Sequence, residues 1–166
     1  MMQEAIPVVV GEPDADDVRH ADFAQLFTAL KQPMTRLAYL LTASVPQAED
    51  AVQEAFISVL ERWSRIDDHE AYLRRTVVNR CMSWHRHAAV VRKTRSRVAT
   101  ADSYVDWPDE MLDALRQLPP RRRAVVVLTY YERLQTDEIS ESLGISRATV
   151  RSTLHRALAQ LKGILE

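Results

Sequence analysis

The stretch TDEISESLGISRATVR, residues 136–151, has the spacing of a helix-turn-helix motif. Thr136 can cap a first helix and Ser146 a second one, since a hydroxyl oxygen accepts the unpaired N–H groups of a first turn. Gly144 can take the left-handed conformation that a tight turn after a helix requires. Ser140 is small enough for two helices to cross closely. The stretch therefore predicts two short helices joined by a tight turn.

The second helix of this motif has one apolar face and one polar, basic face. Apolar side chains at steps of three and four residues are predicted to pack the two helices together. These core candidates are Ile139, Leu143, Ile145, Val150, Leu154, Ala157, Leu158 and Leu161. The opposite face carries Arg147, Thr149, Arg151, Ser152, His155 and Arg156. Because guanidinium groups bind guanine edges and phosphates, we predict that this face binds DNA in the major groove. The alternative is a structural helical hairpin whose basic face is only solvated.

Two further helices are predicted just upstream of the motif. Leucines recur at Leu112, Leu115 and Leu118 and predict a short helix, which Pro119 ends. The apolar, β-branched run at residues 124–131 fits a buried strand or a buried helix equally well by its pattern. A helix is favoured, because no second strand is predicted nearby to pair with it.

The first half of the chain is also predicted to be helical. The helical spacing that begins at Phe23 is expected to break at Pro33. Pro46 suits the first turn of the next helix, where its missing N–H is not needed. An apolar stripe from Ala51 to Trp63 continues that helix. A last helix has one apolar face, formed by Leu73, Val77, Cys81, Trp84 and Ala88. This spacing places Trp84 in the core in preference to a role in stacking on bases.

Composition excludes several classes of protein. Only 3 of the 166 residues are glycine, which disfavours sandwiches, barrels and glycine-rich phosphate loops. The single cysteine, Cys81, makes no internal disulfide and fits a reducing, cytosolic setting. Cys81 and His85 share one helix face, whereas His87 points elsewhere, so no metal site is predicted. We therefore expect no catalytic residues, no cofactor and no enzymatic activity. No export signal or membrane span is predicted, since the early apolar run is short and broken by Pro7.

Charge is strongly segregated, although the formal net charge is only −1. Residues 1–22 hold six acids and one base. Residues 74–97 hold eight bases and no acid, and residues 146–163 hold four bases and no acid. Two basic blocks in a neutral chain indicate two separate contacts with a polyanion.

These patterns predict an all-α protein of two small helical domains joined by a linker, with the helix-turn-helix in the second. Residues 1–21 are predicted to be an acidic, disordered tail and residues 22–93 the first domain. Residues 94–108 are the predicted linker and residues 109–166 the second domain. Residues 94–107 of this linker, fully extended, reach about 45–50 Å, more than one ~34–36 Å turn of duplex DNA. The two basic blocks could therefore contact different turns of one duplex.

Two segments of each half resemble a known family. Residues 48–56, AEDAVQEAF, and residues 72–80, YLRRTVVNR, resemble region 2 of bacterial sigma factors. Residues 118–123, LPPRRR, and the helix-turn-helix after them resemble region 4. Short sigma factors that hold only these two regions form the extracytoplasmic-function (ECF) group of the sigma-70 family. The chain is similar to that group over about residues 22–93 and 109–164.

The resemblance implies a protein that binds core RNA polymerase, directs it to promoters and helps to open the DNA. Region 4 would read the −35 element as duplex, and region 2 would hold the separated non-template strand of the −10 element. Polymerase contacts are implied for Asp50, Gln53, Glu54 and Phe56. The apolar pattern alone places Phe56 in the core.

The same resemblance implies contacts with the −10 element by Arg74, Arg75, Asn79, Arg80 and Arg86. Asn79 would line a pocket for a flipped base, with residues 65–70 as the other wall. The chain departs from the family pattern at Thr153, where a long basic or polar side chain is frequent, and this departure could shift promoter preference.

One alternative function stays open at this point, a stand-alone helix-turn-helix transcriptional regulator. Such a protein needs a sensor domain or a dimer interface and binds its operator tightly without polymerase. The sigma factor interpretation implies a cytoplasmic bacterial protein. It also implies a possible anti-sigma partner, which could hold the protein at the membrane without membrane insertion of the chain itself.

Overall fold

The computed structural model describes residues 14–91 and 107–166, and within them every regular element is helical. Seven α-helices follow one another along the chain, with a 3₁₀ turn at Trp63–Arg65 between the second and third. They are α1 (Ala15–Thr42), α2 (Val45–Glu61), α3 (His69–Val91), α4 (Asp109–Gln117), α5 (Pro120–Tyr130), α6 (Thr136–Leu143) and α7 (Arg147–Leu165). The predicted all-α fold class is confirmed.

Helices α1, α2 and α3 form the first bundle around an apolar core. Leu37, Leu41, Val59, Leu73 and Val77 are completely buried in it. Burial of side chains of this size contributes roughly 1.5–3 kcal/mol each, which makes this core the main source of stability in the first half.

Helix α1 continues through Pro33, so the predicted break there was wrong. Proline removes one backbone hydrogen bond and costs about 3 kcal/mol inside a helix. Packing on both sides offsets this penalty. On the C-terminal side Leu37 and Leu41 are fully buried. On the N-terminal side the ring centres of Phe27 and Phe56 lie 4.9 Å apart, and those of Phe23 and Trp63 lie 5.9 Å apart.

The same helix begins earlier than the sequence pattern indicates. Residues 15–21, for which an acidic disordered tail was predicted, form the first two turns of α1. Asp16 and Asp17 lie in the first turn, where carboxylates stabilise the positive end of the helix dipole. The rest of the predicted tail, residues 1–13, and the predicted linker up to residue 106 lie outside the described residues.

Helices α4 to α7 form the second bundle. The run at residues 124–131, which fits a strand or a helix by its pattern, forms the central helix α5 and the residue that ends it. Val125, Val127 and Leu128 are fully buried. Since α5 packs against α6 and α7 of its own bundle and against α1 and α3 of the first, its apolar residues face neighbours on several sides, which weakens the amphipathic signal that would have identified it.

The helix-turn-helix forms with its predicted turn and with one different cap. Gly144 adopts the left-handed conformation, with a φ of 63°, and Ser146 accepts a hydrogen bond from the Thr149 N–H at 3.1 Å. The first helix is capped by Gln135 and not by Thr136, which is its first helical residue. The Glu138 carboxylate accepts the Gln135 N–H at 2.7 Å, completing a capping box.

The two bundles pack directly against each other through Arg123 of α5. Its side chain is only 6% exposed. Its guanidinium donates to the carbonyl oxygens of Leu115 (2.9 Å), Arg116 (3.0 Å) and Leu118 (3.3 Å) at the end of α4. It also donates to the Leu41 carbonyl oxygen at the end of α1, at 3.1 Å. One cation thus binds the C-terminal ends of a helix from each bundle.

We expect Arg123→Met to lower the free energy of unfolding by about 2–4 kcal/mol, because it leaves several buried carbonyl oxygens without their donor. Urea denaturation followed by far-UV circular dichroism measures this loss. Arg121→Met is the matched control, since Arg121 is exposed on the same helix and its removal should change stability by less than about 0.5 kcal/mol. Equal midpoints for the two variants would contradict the bridging role of Arg123.

Candidate nucleic-acid interface

The predicted DNA-binding face of α7 is formed and open to solvent. Arg151, Ser152, His155 and Arg156 are exposed on one side of the helix. The buried stripe on the other side, formed by Val150, Thr153, Ala157 and Leu161, packs against the bundle. The structure therefore brings most of the predicted duplex-reading residues onto one surface.

The two remaining residues of this set have protein partners. Arg147 pairs with Asp137 of α6 at 2.7 Å, with both side chains largely exposed. Thr149 is half-buried, and its hydroxyl lies 2.8 Å from the Ser146 hydroxyl. An exposed ion pair contributes at most about 1 kcal/mol, so Arg147 can exchange its carboxylate partner for a phosphate.

One prediction about the buried stripe of α7 was wrong. Thr153 is 8% exposed and lies on the buried stripe with Val150 and Ala157, so its hydroxyl is not part of the DNA-binding face. Leu158 is exposed, although its spacing predicted burial. The stripe follows residues 150, 153, 157 and 161. Which of two neighbouring positions is buried depends on which side of α7 packs against α5.

The basic face of α3 is divided between exposed residues and residues held by carboxylates. Asn79 and Arg86 are exposed. Arg80 pairs with Glu54 and donates to the Ser58 hydroxyl at 3.3 Å. This arrangement joins a residue predicted to bind the −10 strand to one predicted to bind polymerase.

Arg74 and Arg75 make contacts toward the second bundle. Arg74 pairs with Glu70 at 2.8 Å and with Glu132, just after α5, at 2.7 Å. Arg75 lies 3.9 Å from Glu141 of α6 and 5.8 Å from the centre of the Tyr72 ring. Sequence reasoning missed these contacts between the bundles, because nothing in helical periodicity indicates which distant acid an arginine meets.

On α2, the side chains of Asp50, Gln53 and Glu54 are exposed, and Glu54 is paired with Arg80 of α3. Phe56 is only 3% exposed and packs edge-on against Phe23, with ring centres 6.1 Å apart. The placement of Phe56 in the core, predicted from the apolar pattern, is thus correct. The role implied by the resemblance does not fit its side chain, which supports α2 from within the bundle.

A groove of about 650 Å³ between α2 and α3 brings the two sets of site residues together. It is lined by Asp50 and Glu54 from α2 and by Asn79, Arg80 and Arg86 from α3, among others. Trp84 also lines it and is half-buried, so its indole is more accessible than the core position predicted.

The segment between α2 and α3 is held by short-range contacts. The His69 ring stacks on Trp63 with centres 3.8 Å apart and donates to the Trp63 carbonyl oxygen at 3.0 Å. Asp68 accepts the Ala71 N–H at 2.9 Å at the start of α3. Residues 65–68 line a second cavity of about 490 Å³, which does not include Asn79. The structure therefore does not place Asn79 and this segment around one pocket.

Cys81 and the nearby histidines have structural partners. The Cys81 thiol is buried, and burial raises its pKa to about 12. His85 donates from Nε2 to the Leu41 carbonyl oxygen at 2.7 Å, and the His87 ring is hydrogen-bonded to the Ser83 carbonyl oxygen at 2.8 Å. Within residues 14–91 and 107–166, no group of three potential ligands is placed to hold a metal ion.

The fold and these surfaces define the class: a helical protein with a helix-turn-helix and a separate basic helix, each suited to nucleic acid. Comparisons with known proteins agree. Residues 26–90 match the Sigma-70 region 2 family, and residues 109–161 match the Sigma-70, region 4 family. The chain is 34% identical to the RNA polymerase sigma-E factor of Streptomyces avermitilis, over 87% of this chain and 86% of that protein.

Other relatives point the same way. The chain is 31% identical to the ECF RNA polymerase sigma factor SigL of Mycobacterium tuberculosis, over 79% of this chain and 81% of that protein. Its fold is similar to that of the sigma factor RpoE from Bartonella quintana, solved with the anti-sigma factor NepR. In that comparison the TM-score is 0.70 and the identity 22%, over 87% of this chain and 96% of the other. The extracytoplasmic sigma factor SigJ of Mycobacterium tuberculosis gives a TM-score of 0.67 at 29% identity, over 84% of this chain and 53% of that one.

The chain therefore belongs to the ECF RNA polymerase sigma factors, which are non-enzymatic transcription initiation factors that recognise promoters through regions 2 and 4. Across the described parts of the chain, no helix is both long and apolar enough to cross a membrane.

We expect the Cys81 thiol to react slowly with a disulfide reagent such as DTNB in the folded protein at pH 8. Raising its pKa from 9.0 to about 12 lowers the thiolate fraction by about a thousandfold. Absorbance at the thionitrobenzoate band follows the reaction, and the same protein in urea is the control, where full reaction is expected. Rapid reaction in the folded state would show that the first bundle does not protect this thiol.

Proposed function

We propose that this chain initiates transcription through three surfaces, each on a different helix. Helix α2 binds core RNA polymerase, α3 binds the separated −10 strand, and α7 reads the −35 element as duplex. The observation that carries the proposal is the exposed face of α7. Four residues able to bind bases or phosphates, Arg151, Ser152, His155 and Arg156, lie on the outer side of a correctly capped helix-turn-helix.

The −10 surface is proposed to consist of Asn79 together with the arginines of α3. An amide side chain can make paired hydrogen bonds with the edge of an adenine, and guanidinium groups bind phosphates without regard to sequence. Asn79 and Arg86 are exposed and border the groove between α2 and α3. This arrangement supports base recognition at Asn79 and binding of the strand backbone at Arg86.

The polymerase surface is proposed to consist of Asp50, Gln53 and Glu54 on the exposed side of α2. Asp50 and Glu54 are like charges one turn apart, which costs a few tenths of a kcal/mol in an isolated helix. A basic surface on the partner would offset this repulsion.

An anti-sigma factor is a further proposed partner, in the cytoplasm. The sigma factor RpoE of Bartonella quintana was solved with the anti-sigma factor NepR, and CnrH, a second protein of similar fold, was solved with the cytosolic domain of CnrY. Both comparisons rest on the fold, and they support the proposal that this chain too is controlled by a protein that binds it.

Run-off transcription with purified core polymerase on fragmented genomic DNA tests the proposal. Discrete transcripts that depend on this protein and share two upstream elements would support it and supply the promoter. An absence of such transcripts, together with tight DNA binding without polymerase, would favour a stand-alone regulator.

We expect Arg151→Ala to reduce initiation about 5- to 150-fold on a promoter with its −35 element, because one bidentate base contact is worth about 1–3 kcal/mol. Lys162→Ala is the matched control, an exposed cation at the far end of the same helix. On a template with a scrambled −35 element the Arg151 variant should equal the wild type. An equal defect on both templates would contradict a role in −35 recognition.

We expect Asn79→Ala to impair promoter opening more than closed-complex formation, because the lost amide contacts an unpaired base. Permanganate reactivity of unpaired −10 thymines measures opening, and gel-shift titration at low temperature measures the closed complex. Gln25→Ala, on the exposed side of α1, is the control. Unchanged permanganate reactivity would refute the assignment of Asn79.

A further inference from the structure

A charged interface between the two bundles covers part of region 2. Helix α6 lies across a cavity of about 490 Å³ from the segment that joins α2 to α3. Region 2 contributes Arg62, Arg65, Arg74 and Arg75 to the lining, along with the acids Asp67 and Asp68. The second bundle contributes Glu138 and Glu141 from α6. Two carboxylates of α6 thus face the same cleft as the arginines of region 2.

The strongest contact across the interface is the pair between Arg74 and Glu132. Their charged groups lie 2.7 Å apart, and the side chains are only 18% and 10% exposed. Burial raises the pKa of Glu132, and the guanidinium of Arg74 opposes that shift. A buried carboxylate that loses its partner leaves an uncompensated charge, so this pair favours the closed arrangement of the bundles. Arg75 and Glu141, 3.9 Å apart and more exposed, add a weaker attraction.

The interface between the bundles involves one of the two proposed DNA-binding surfaces and leaves the other open. It engages Arg74 and Arg75, which are proposed to bind the −10 strand. The outer face of α7, with Arg151 and Arg156, stays open to solvent. A closed protein of this kind retains its duplex-binding helix while part of its single-strand-binding surface is occupied.

We propose that, in the free protein, α6 and Glu132 act as an internal competitor of single-stranded promoter DNA on region 2. This inference rests on the proposed function of α3. Binding of the −10 strand then requires the bundles to separate, which exchanges the carboxylates on Arg74 and Arg75 for phosphates. Separation also breaks the bond from Arg123 to the Leu41 carbonyl oxygen and the 2.7 Å bond from Arg116 to the Tyr39 hydroxyl.

The test compares the full-length wild type with the double variant Glu132→Gln/Glu141→Gln. A fluorescein-labelled dT20 oligonucleotide reports single-strand binding by anisotropy. Nitroxide labels at Glu61→Cys and Ala159→Cys, both exposed positions, report the distance between the bundles by double electron–electron resonance. The control variant Glu110→Gln/Glu166→Gln removes the same net charge at exposed positions that do not line the cleft.

We expect the double variant to show longer, broader distances and to bind dT20 at least fivefold more tightly than the control variant. Longer distances with unchanged dT20 affinity would overturn the proposal, because opening would then expose no strand-binding surface. Unchanged distances would overturn it as well, since the ion pairs would not hold the closed form. If the double variant fails to fold, Glu141→Gln alone, at a side chain that is 76% exposed, should give a smaller shift in the same direction.

Run-off transcription separates this inference from the proposed function. If the wild type directs transcription and the double variant changes neither distance nor affinity, only the internal competition is wrong. If the wild type directs no transcription and the distances between the labels still lengthen in the double variant, these ion pairs do hold the bundles together but the proposed function fails.

Discussion

The hydrogen bonds of Arg123 are the interaction on which the arrangement of the bundles depends. The last carbonyl oxygens of a helix have no partner within it and carry the negative end of its dipole. Arg123 donates to such oxygens at the end of α4 and at the end of α1. The Leu41 carbonyl oxygen also accepts from His85 of α3. One guanidinium and one imidazole therefore connect α1, α3, α4 and α5, and α6 and α7 take their positions from α5.

Ion pairs between acids of the second bundle and nearby arginines explain how a nearly neutral chain can carry two basic surfaces. The acids of the second bundle are not spread evenly over its surface. Glu132 and Glu141 face the arginines of α3, and Asp137 faces Arg147 of the recognition helix. Packing of the bundles brings Glu132 and Glu141 to the arginines of α3, and the turn between α6 and α7 brings Asp137 to Arg147. The basic blocks are thereby partly neutralised within the molecule, while the outer face of α7 is left to solvent.

Much of the local structure was predictable because its causes are local. A glycine at the turn, a serine before the second helix and a three-and-four spacing of apolar residues identify the helix-turn-helix without reference to the rest of the chain, and the structure confirms the turn and the Ser146 cap. The errors came where distant packing decided. Pro33 stays helical because aromatic rings before it and leucines after it pack within the first bundle. Leu158 is exposed because the buried stripe of α7 runs through Thr153 and Ala157 instead. Phe56 is a core residue, as its spacing predicted, although family resemblance gave it a binding role.

The sequence by itself determined the all-α class, the helix-turn-helix, the segregation of charge and the resemblance to sigma regions 2 and 4. These depend on residue type and spacing over a few turns of helix. Only the tertiary structure decided which arginines of α3 are exposed and which are paired, that Asn79 and residues 65–68 line different cavities, and that Arg123 connects the bundles. The physical reason is that each of these features joins side chains far apart in the chain, and periodicity specifies which face of a helix is buried but not which partner it meets.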